Sequence, residues 1–311
     1  MNTPKTLHLS QPNQKRKKST IAKRERGLTK KGYKSLAPET GYWRPSTDYH
    51  QKIVDAVKGK IRNGDFVTIS EKAIATASSN ILDESRIHPS LLARFIAKYW
   101  MRYVWGHLLG VVCHLKKKTV QRLRAYPVIE GGAHKQVALN YAGFWQALMH
   151  GSEGGIDGSN LPYSFVSLPL KNAQQIAKRI HEHLKTKLGK DVNVMILDTD
   201  KTYSFRNFNF TSRPEPIEGI QSCGGVIAYL TGRFLKLKRR ATPIALVGSN
   251  MVSVEEALKI AELANRARGF GAGRNVWDMA EAFGVALTDV TWDMLDRVEH
   301  KPIVLVRRVK S

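Results

Sequence analysis

Val192-Asn193-Val194-Met195-Ile196-Leu197-Asp198-Thr199-Asp200 is the stretch on which the fold turns. Its charge-free, apolar first part predicts a buried strand. Asp198 closes that strand. A carboxylate at the end of such a strand lies at the mouth of an α/β crevice, where hard cations and phosphates are handled. A second carboxylate, Asp157, stands in the glycine-rich turn Gly154-Gly155-Ile156-Asp157-Gly158-Ser159-Asn160. Asp157 and Asp198, with Thr199 and Asn160 beside them, are oxygen ligands enough to hold Mg²⁺ or Mn²⁺ against nucleotide phosphates. The plainer alternative makes Asp157 a turn residue and Asp198 a helix cap.

Outward from this strand, periodicity predicts a mixed α/β chain. Tyr49 to Ile61 reads as an amphipathic helix, Asn63-Gly64-Asp65 as a turn, and Phe66 to Ser70 as a strand ending in Glu71 and Lys72. Asp83 to Leu115 is expected to be mostly helical, and its apolar stretch from Tyr99 to Leu115 to be a buried helix. Arg102 and His107 interrupt that stretch, which falls short of a membrane span. Tyr126 to Asn140 reads as extended segments around a turn at Glu130-Gly131-Gly132. A short strand from Ser164 to Leu168 precedes a helix from Asn172 to Leu188, with Ile176, Ile180, Leu184 and Leu188 on one face. Lys201 to Pro216 is expected to be a polar, aromatic loop, Gln221 to Phe234 a glycine-rich turn into a helix, and Pro243 to Val247 a strand. Val254 to Arg268 is a helix opened by the capping box Ser253/Glu256. A connector, Gly269 to Asn275, then leads to a helix at Val276 to Phe283, a last helix at Thr291 to Val298 and a strand at Ile303 to Val306. Strands and helices alternate too regularly for an all-α or all-β protein.

The 311-residue length allows one large domain or two lobes, and a hydrophobic fraction of 42% is that of a globular chain. The formal charge of +24 is not ordinary. Much of it lies in residues 1–35, which have almost no apolar periodicity and are expected to form a disordered, solvated arm. The body is still basic and suited to a polyanionic ligand. Arg233, Lys236, Lys238, Arg239 and Arg240 form a basic cluster readable as a phosphate attractor or as a solvated helix end. Cys113 and Cys223 lack metal-ligand spacing and point to a reducing compartment. No apolar signal segment accompanies the basic start, so a cytoplasmic protein is expected.

From about Asn63 to Arg268 the chain resembles the coenzyme F420-0:L-glutamate ligase family and looks like a divergent member. Three blocks carry the likeness: Gly64-Asp65-Phe66-Val67-Thr68-Ile69-Ser70-Glu71-Lys72, then Gly155-Ile156-Asp157-Gly158-Ser159-Asn160, then the helix from Asn172 with Asp191 to Thr199. The resemblance implies a two-lobed α/β fold of mixed sheets flanked by helices, occupying residues 36–311, that dimerises. It implies GTP as co-substrate, Mg²⁺ or Mn²⁺, possibly K⁺, and L-glutamate joined to a deazaflavin-type, phosphate-bearing acceptor. On that reading Asp157 and Asp198 bind metal and Thr199 assists a second metal through its carbonyl. Asn160 contacts the nucleotide, and Lys72 is a catalytic partner of the phosphate charge. The chain also departs from the family. Ala75-Thr76 and Ser78-Ser79 stand where a Ser-Lys pair is usual. Asp200-Lys201-Thr202 follows Thr199 where a Gly-Arg-Pro segment is usual. Ala264-Asn265-Arg266-Ala267 stands where the family carries a metal-side Gln. The rival reading is a non-catalytic protein on a ligase-like fold, whose basic arm and surface bind nucleic acid through charge.

Overall fold

The computed structural model describes residues 26–30, 32–249 and 251–309. Its backbone is one mixed sheet of β1 (Arg26–Lys30), β2 (Tyr33–Ala37), β3 (Phe66–Ser70), β6 (Asn193–Phe205), β7 (Phe208–Thr211), β8 (Gln221–Ser222), β9 (Lys238–Val247) and β10 (Ile303–Arg308), with a separate pair β4 (Ile81–Asp83) and β5 (Phe165–Ser167). The order is β1-β2-β10-β3-β6-β7-β8, with β9 also on β6. The β3–β6 and β7–β8 pairs are parallel; β10 runs antiparallel to β2 and β3, and β7 and β9 antiparallel to β6.

Strand alternation sends side chains to two different cores. Val67, Ile69, Val194 and Ile196 pack with Ile53, Val54, Ala177, Ile180 and Leu184 from the helices Tyr49–Val57 and Ala173–Leu188. Phe66, Met195, Leu197, Val304 and Val306 meet Ala257, Ile260, Ala261 and Ala264 of the helix Val254–Arg268 on the other face. Burial on both faces is why β6 begins as a charge-free run. A third core, with Ile96, Met101, Trp105, Val137 and Ile156, belongs to the helices of the crossover between β3 and β6. The mixed α/β class expected from the sequence is the one observed.

Several local expectations are corrected. Residues 26–30 and 33–35, expected within the disordered arm of residues 1–35, belong to the edge hairpin β1–β2, because β2 completes the free edge of β10 and Ser35 Oγ donates to the Leu28 carbonyl at 3.0 Å. The earlier part of the arm lies outside the described residues. Tyr126 to Asn140 is not extended: Ile129–Tyr141 is a helix. Gly131 serves close packing there rather than a turn, since a Cβ on it would come within 2.2 Å of the Tyr126 ring. The apolar stretch after Tyr99 is only half-buried; it lies in a rod that is α-helical over Leu91–Phe95, π-helical over Ile96–Leu109 and α-helical over Gly110–Val112. Phe95, Tyr99, Tyr103, Leu108 and Val111 face outward from it. The last helix is shorter than expected, Trp292–Leu295.

β6 does not stop at Asp198. It continues through Phe205 and returns as β7, so Lys201 to Thr211 is a hairpin rather than a loop. Its pairing with β9 shifts between Asp198, opposite Thr242, and Lys201, opposite Ala241. Thr199 and Asp200 are therefore extra residues on a bulge, a device that re-aims side chains. Thr199 turns out to solvent and Asp200 turns in, only 4% exposed.

Candidate active site

Register builds the site. Ser70 of β3 lies opposite Leu197 of β6 in the parallel ladder. The next residues, Glu71 and Asp198, thus emerge side by side at the carboxyl ends of the pair, the customary ligand side of such sheets. Glu71 opens the helix Glu71–Ala77, which places Lys72 one residue further along its first turn. That helix buries Ala75 and Thr76 in the core, so the missing Ser-Lys pair has no solvent face to occupy at those two positions.

Lys72 reaches across to the glycine loop. Its Nζ donates to Asp157 Oδ2 at 2.8 Å, to Ser159 Oγ at 2.7 Å and to the Ser159 carbonyl at 2.9 Å. Asp157 Oδ1 accepts the Ser159 amide at 2.7 Å. Burial alone would raise the Asp157 carboxyl; Lys72 and Ser159 outweigh it and hold the group below the usual carboxylate range. The loop is pinned from behind by a buried ion pair, Lys135 with Glu153 at 2.6 Å, and by His134, which bridges Glu153 and Glu84.

Asp198 meets a different cation. Arg213 Nε stands 3.1 Å from Asp198 Oδ2, though not aligned as a hydrogen bond, and its second nitrogen donates to Glu71 Oε1 at 2.6 Å. Its third donates to the Gly154 carbonyl at 2.8 Å, tying β7's exit to the glycine loop. Glu71 also accepts the Leu170 amide at 2.8 Å. Burial raises the Glu71 carboxyl to about 7, with Arg213 opposing and Asp198 adding to the rise. Asp200 is likewise raised well above the usual carboxylate range, by burial first and then by the Asp198 charge. Arg268 lies within electrostatic reach of both Asp198 and Asp157, and Lys201 within reach of Glu262, Asp200 and Asp198. Burial pulls both of these cations down.

The remaining expected residues are placed as follows. Thr199 is exposed, its hydroxyl 3.4 Å from Asp198 Oδ1. Asn160 adopts a left-handed backbone, φ 56°, and spends its side chain on the 269–273 connector. It accepts the Ala272 amide at 2.6 Å and donates to the Gly273 carbonyl at 3.1 Å and the Phe270 carbonyl at 3.3 Å. A Cβ on Gly271 would fall 2.4 Å from Asn160 Oδ1, so that glycine permits the closure rather than cradling an anion. Tyr42 donates its hydroxyl to the Asn160 carbonyl, and burial with the Asp157 charge raises its phenol. His300, held neutral by burial and by the Arg268 and Lys72 charges at a pKa of about 4, completes this wall. The basic cluster after Gly232 is dispersed: Arg233 donates to the Cys113 carbonyl, while Arg240 and Lys238 pair with Glu255.

Glu71, Arg213 and Arg268 escaped sequence reasoning. Arg213-Pro214 carries the Arg-Pro pair sought directly after Thr199; the β6–β7 hairpin intervenes and delivers Arg213 back to Asp198.

The donor set suits a hard cation in part. Asp200 Oδ2 is buried without a hydrogen-bond partner, whereas Asp198 Oδ2, also without one, is ion-paired with Arg213 Nε at 3.1 Å. Asp157 has both oxygens engaged. Among the described residues no three acidic, His or Cys side chains form a ready cage. Mg²⁺-type ions are commonly held by one or two carboxylates, with water and phosphate supplying the rest.

Such a cleft, with carboxylates and cations interleaved at the carboxyl end of a parallel pair, lies where α/β proteins bind their ligands. The chain belongs to the F420-0:gamma-glutamyl ligase family, whose model matches residues 39–259. It is also 34% identical over 280 residues to an uncharacterized protein, MJ1361, of Methanocaldococcus jannaschii, covering 86% of this chain and 94% of that one. The family implies ligase activity. No helix among the described residues is long and apolar enough to cross a membrane.

Proposed function

We propose that this chain is a nucleotide- and divalent-metal-dependent acid–amino-acid ligase, adding L-glutamate to coenzyme F420-0 or a related phosphate-bearing acceptor, with GTP as co-substrate, in the cytoplasm. The observation that carries the reading is the β3–β6 register, which sets Glu71-Lys72 against Asp198 in a member of this family. In this scheme an acceptor carboxylate takes the γ-phosphoryl group, forming an acyl phosphate and releasing the nucleoside diphosphate. The glutamate amine then displaces phosphate to form the amide. Phosphoryl transfer of this kind needs positioning and charge neutralisation more than covalent work by side chains.

Each residue has a task in this reading. Lys72, Arg213 and Arg268 neutralise phosphate and acyl-phosphate charge. Asp157 and Asp198 are the carboxylates toward Mg²⁺ or Mn²⁺, with the Thr199 carbonyl toward a second ion, divalent or K⁺. A bound divalent ion would supply charge neutralisation at the phosphates. For Asp157 to serve, Lys72 must exchange its carboxylate for a phosphate oxygen. For Asn160 to contact the nucleotide, the 269–273 connector must lift from it. The outward ladder Phe95, Tyr99 and Tyr103, whose neighbouring rings lie 5.2 and 6.2 Å apart, supports a homodimer formed through this face.

The test is thermal stability of the full chain with GTP, ATP and their diphosphates, with and without Mn²⁺, together with Asp157→Ala and Asp198→Ala. A shift requiring nucleotide and metal together, and loss of GTP turnover with retained folding in both variants, is expected. Near-wild-type turnover in both variants would remove the assignment.

A further inference from the structure

We propose that the tip of the β6–β7 hairpin and the turn between the helix Val226–Phe234 and β9 form one surface, which docks on an anionic lipid bilayer. This surface lies outside the candidate active site and stands whether or not the chain is a ligase. Register brings the two turns together. Ser204 of β6 lies opposite Lys238 of β9, so Phe205-Arg206 leaves the sheet alongside Leu235-Lys236-Leu237. Phe205 in turn pairs with Phe208 across the hairpin turn.

Phe205, Phe208, Phe234 and Leu235 are 55, 51, 66 and 55% exposed, a concentration of large apolar side chains that marks an interaction site. The tip is anchored from behind. Leu237 packs with the buried Tyr203, Phe210 and Ala228, and Phe208 stacks on Phe210 with ring centres 5.7 Å apart. The apolar column of that small core thus runs outward and ends in solvent at the two turns.

Charge selects the partner. Arg206, Lys236 and Arg239 are exposed and make no ion pair with any described residue; Arg206 lies over the Phe205 ring at 5.7 Å. Between Lys201 and Ala241 the only acids are Glu215 and Glu218, which line a cavity with Ile244 and Leu246 toward the other end of β9. A second copy is disfavoured, since a twofold contact sets like cations against each other. Aromatic and leucine side chains accompanied by Lys and Arg are what interfacial elements bury at the headgroup boundary, and anionic headgroups attract such cations. The two turns form an end rather than a groove, and Leu235 offers no ring for a base to stack on, which favours a bilayer over single-stranded nucleic acid.

The test is co-sedimentation of the full chain with phosphatidylcholine vesicles and with vesicles that also contain phosphatidylglycerol. Wild type is compared with Phe205→Ser/Phe234→Ser and Lys236→Glu/Arg239→Glu, with melting temperatures as the folding control. Wild type should bind the anionic vesicles and not the neutral ones. Each basic residue near such a surface adds about fivefold to partitioning, so the double charge reversal should weaken binding at least about 25-fold. The serine pair keeps the wild-type charge, and with it any attraction due to residues 1–25. It should still weaken binding about tenfold or more, because apolar insertion is lost. All four positions are exposed, so the melting temperatures should match that of wild type. Wild-type binding by the serine pair, or equal binding to neutral and anionic vesicles, overturns the proposal. So does failure of wild type to bind anionic vesicles, whether or not a single-stranded oligonucleotide binds through the same residues.

Discussion

Replacing Arg213 by Met tests the electrostatic frame of the site. Arg213 is 3% exposed, lies 2.6 Å from Glu71 and 3.1 Å from Asp198, and donates to the Gly154 and Pro214 carbonyls. Its aliphatic replacement keeps much of the volume and leaves Glu71 buried without its counter-ion. Removing one partner of a buried pair typically costs about 3–5 kcal/mol, mostly as the penalty of the stranded charge. Set against a usual stability of about 5–15 kcal/mol, that is a large share. With a urea slope near 3 kcal/mol/M, the midpoint should fall by about 1–2 M. Arg213→Lys should fall between, since an ammonium cannot reproduce the guanidinium's fork toward Glu71 and Asp198. Adding Glu71→Gln to Arg213→Met should restore part of the loss, because the stranded charge goes with it. Equilibrium urea unfolding followed by tryptophan fluorescence and circular dichroism reads all four proteins. A midpoint for Arg213→Met within about 0.3 M of wild type, under 1 kcal/mol on the same slope, would refute the reasoning.

Two further perturbations address the support and the outer face. At His134, burial favours the neutral ring, but Glu84 and Glu153 outweigh it and raise the imidazole to about 10. A raised folded-state value means its contribution is full below the unfolded value near 6.5 and fades as pH rises through about 10. The stability gap between wild type and His134→Gln, taken from urea midpoints, should therefore be constant below about pH 6.5 and narrow above it; a gap that widens with pH contradicts the bridge. Tyr103→Glu places a charge in the middle of the outward aromatic ladder and should convert a homodimer formed there into monomer by light scattering, while a dimer that survives the change uses another surface.

Legibility in the sequence followed burial. β3 and the start of β6 were readable because both of their faces are covered, and burial removes charge from the run. The helix Val254–Arg268 was readable because its apolar face and cap are local features; Ser253 Oγ does accept the Glu256 amide, at 3.3 Å. Glu256 spends its own carboxylate on Arg308 and Tyr33, so the reciprocal half of the capping box gives way to a tertiary contact. The β6–β7 hairpin was harder to see because its strands carry Lys, Thr, Ser and Asn among the aromatics. A signal was present: Tyr203 and Phe205 alternate on one side of Arg206-Asn207, Phe208 and Phe210 on the other, and Phe205 pairs with Phe208. Arg206 sits at φ 53°, the left-handed backbone that two-residue hairpin turns require. Gly131-Gly132 misled in the opposite sense, because glycine marks both turns and close approaches and only the neighbour, here Tyr126, decides which.

The β6–β7 hairpin also keeps the charged groups of the site together across a long excursion of the chain. Residues 200–212 part Asp198-Thr199 from Arg213-Pro214 in the chain, yet the groups stay together, since β7 returns antiparallel along β6 and brings Arg213 back to Asp198. The hairpin has two physical consequences. The bulge between Asp198 and Lys201 turns Asp200 inward, adding a buried carboxylate beside Asp198. The hairpin also carries Phe205 and Phe208, both half-exposed, out beyond the sheet. Loop-closure entropy grows only slowly with length, so such an excursion is tolerated if its ends stay together. The charged groups at the end of β3, on the glycine loop and at Arg213 are fixed by ladders and buried pairs, whereas the hairpin tip answers to no core. Change in acceptor preference is therefore expected at the hairpin and not at Lys72, Asp157 or Asp198.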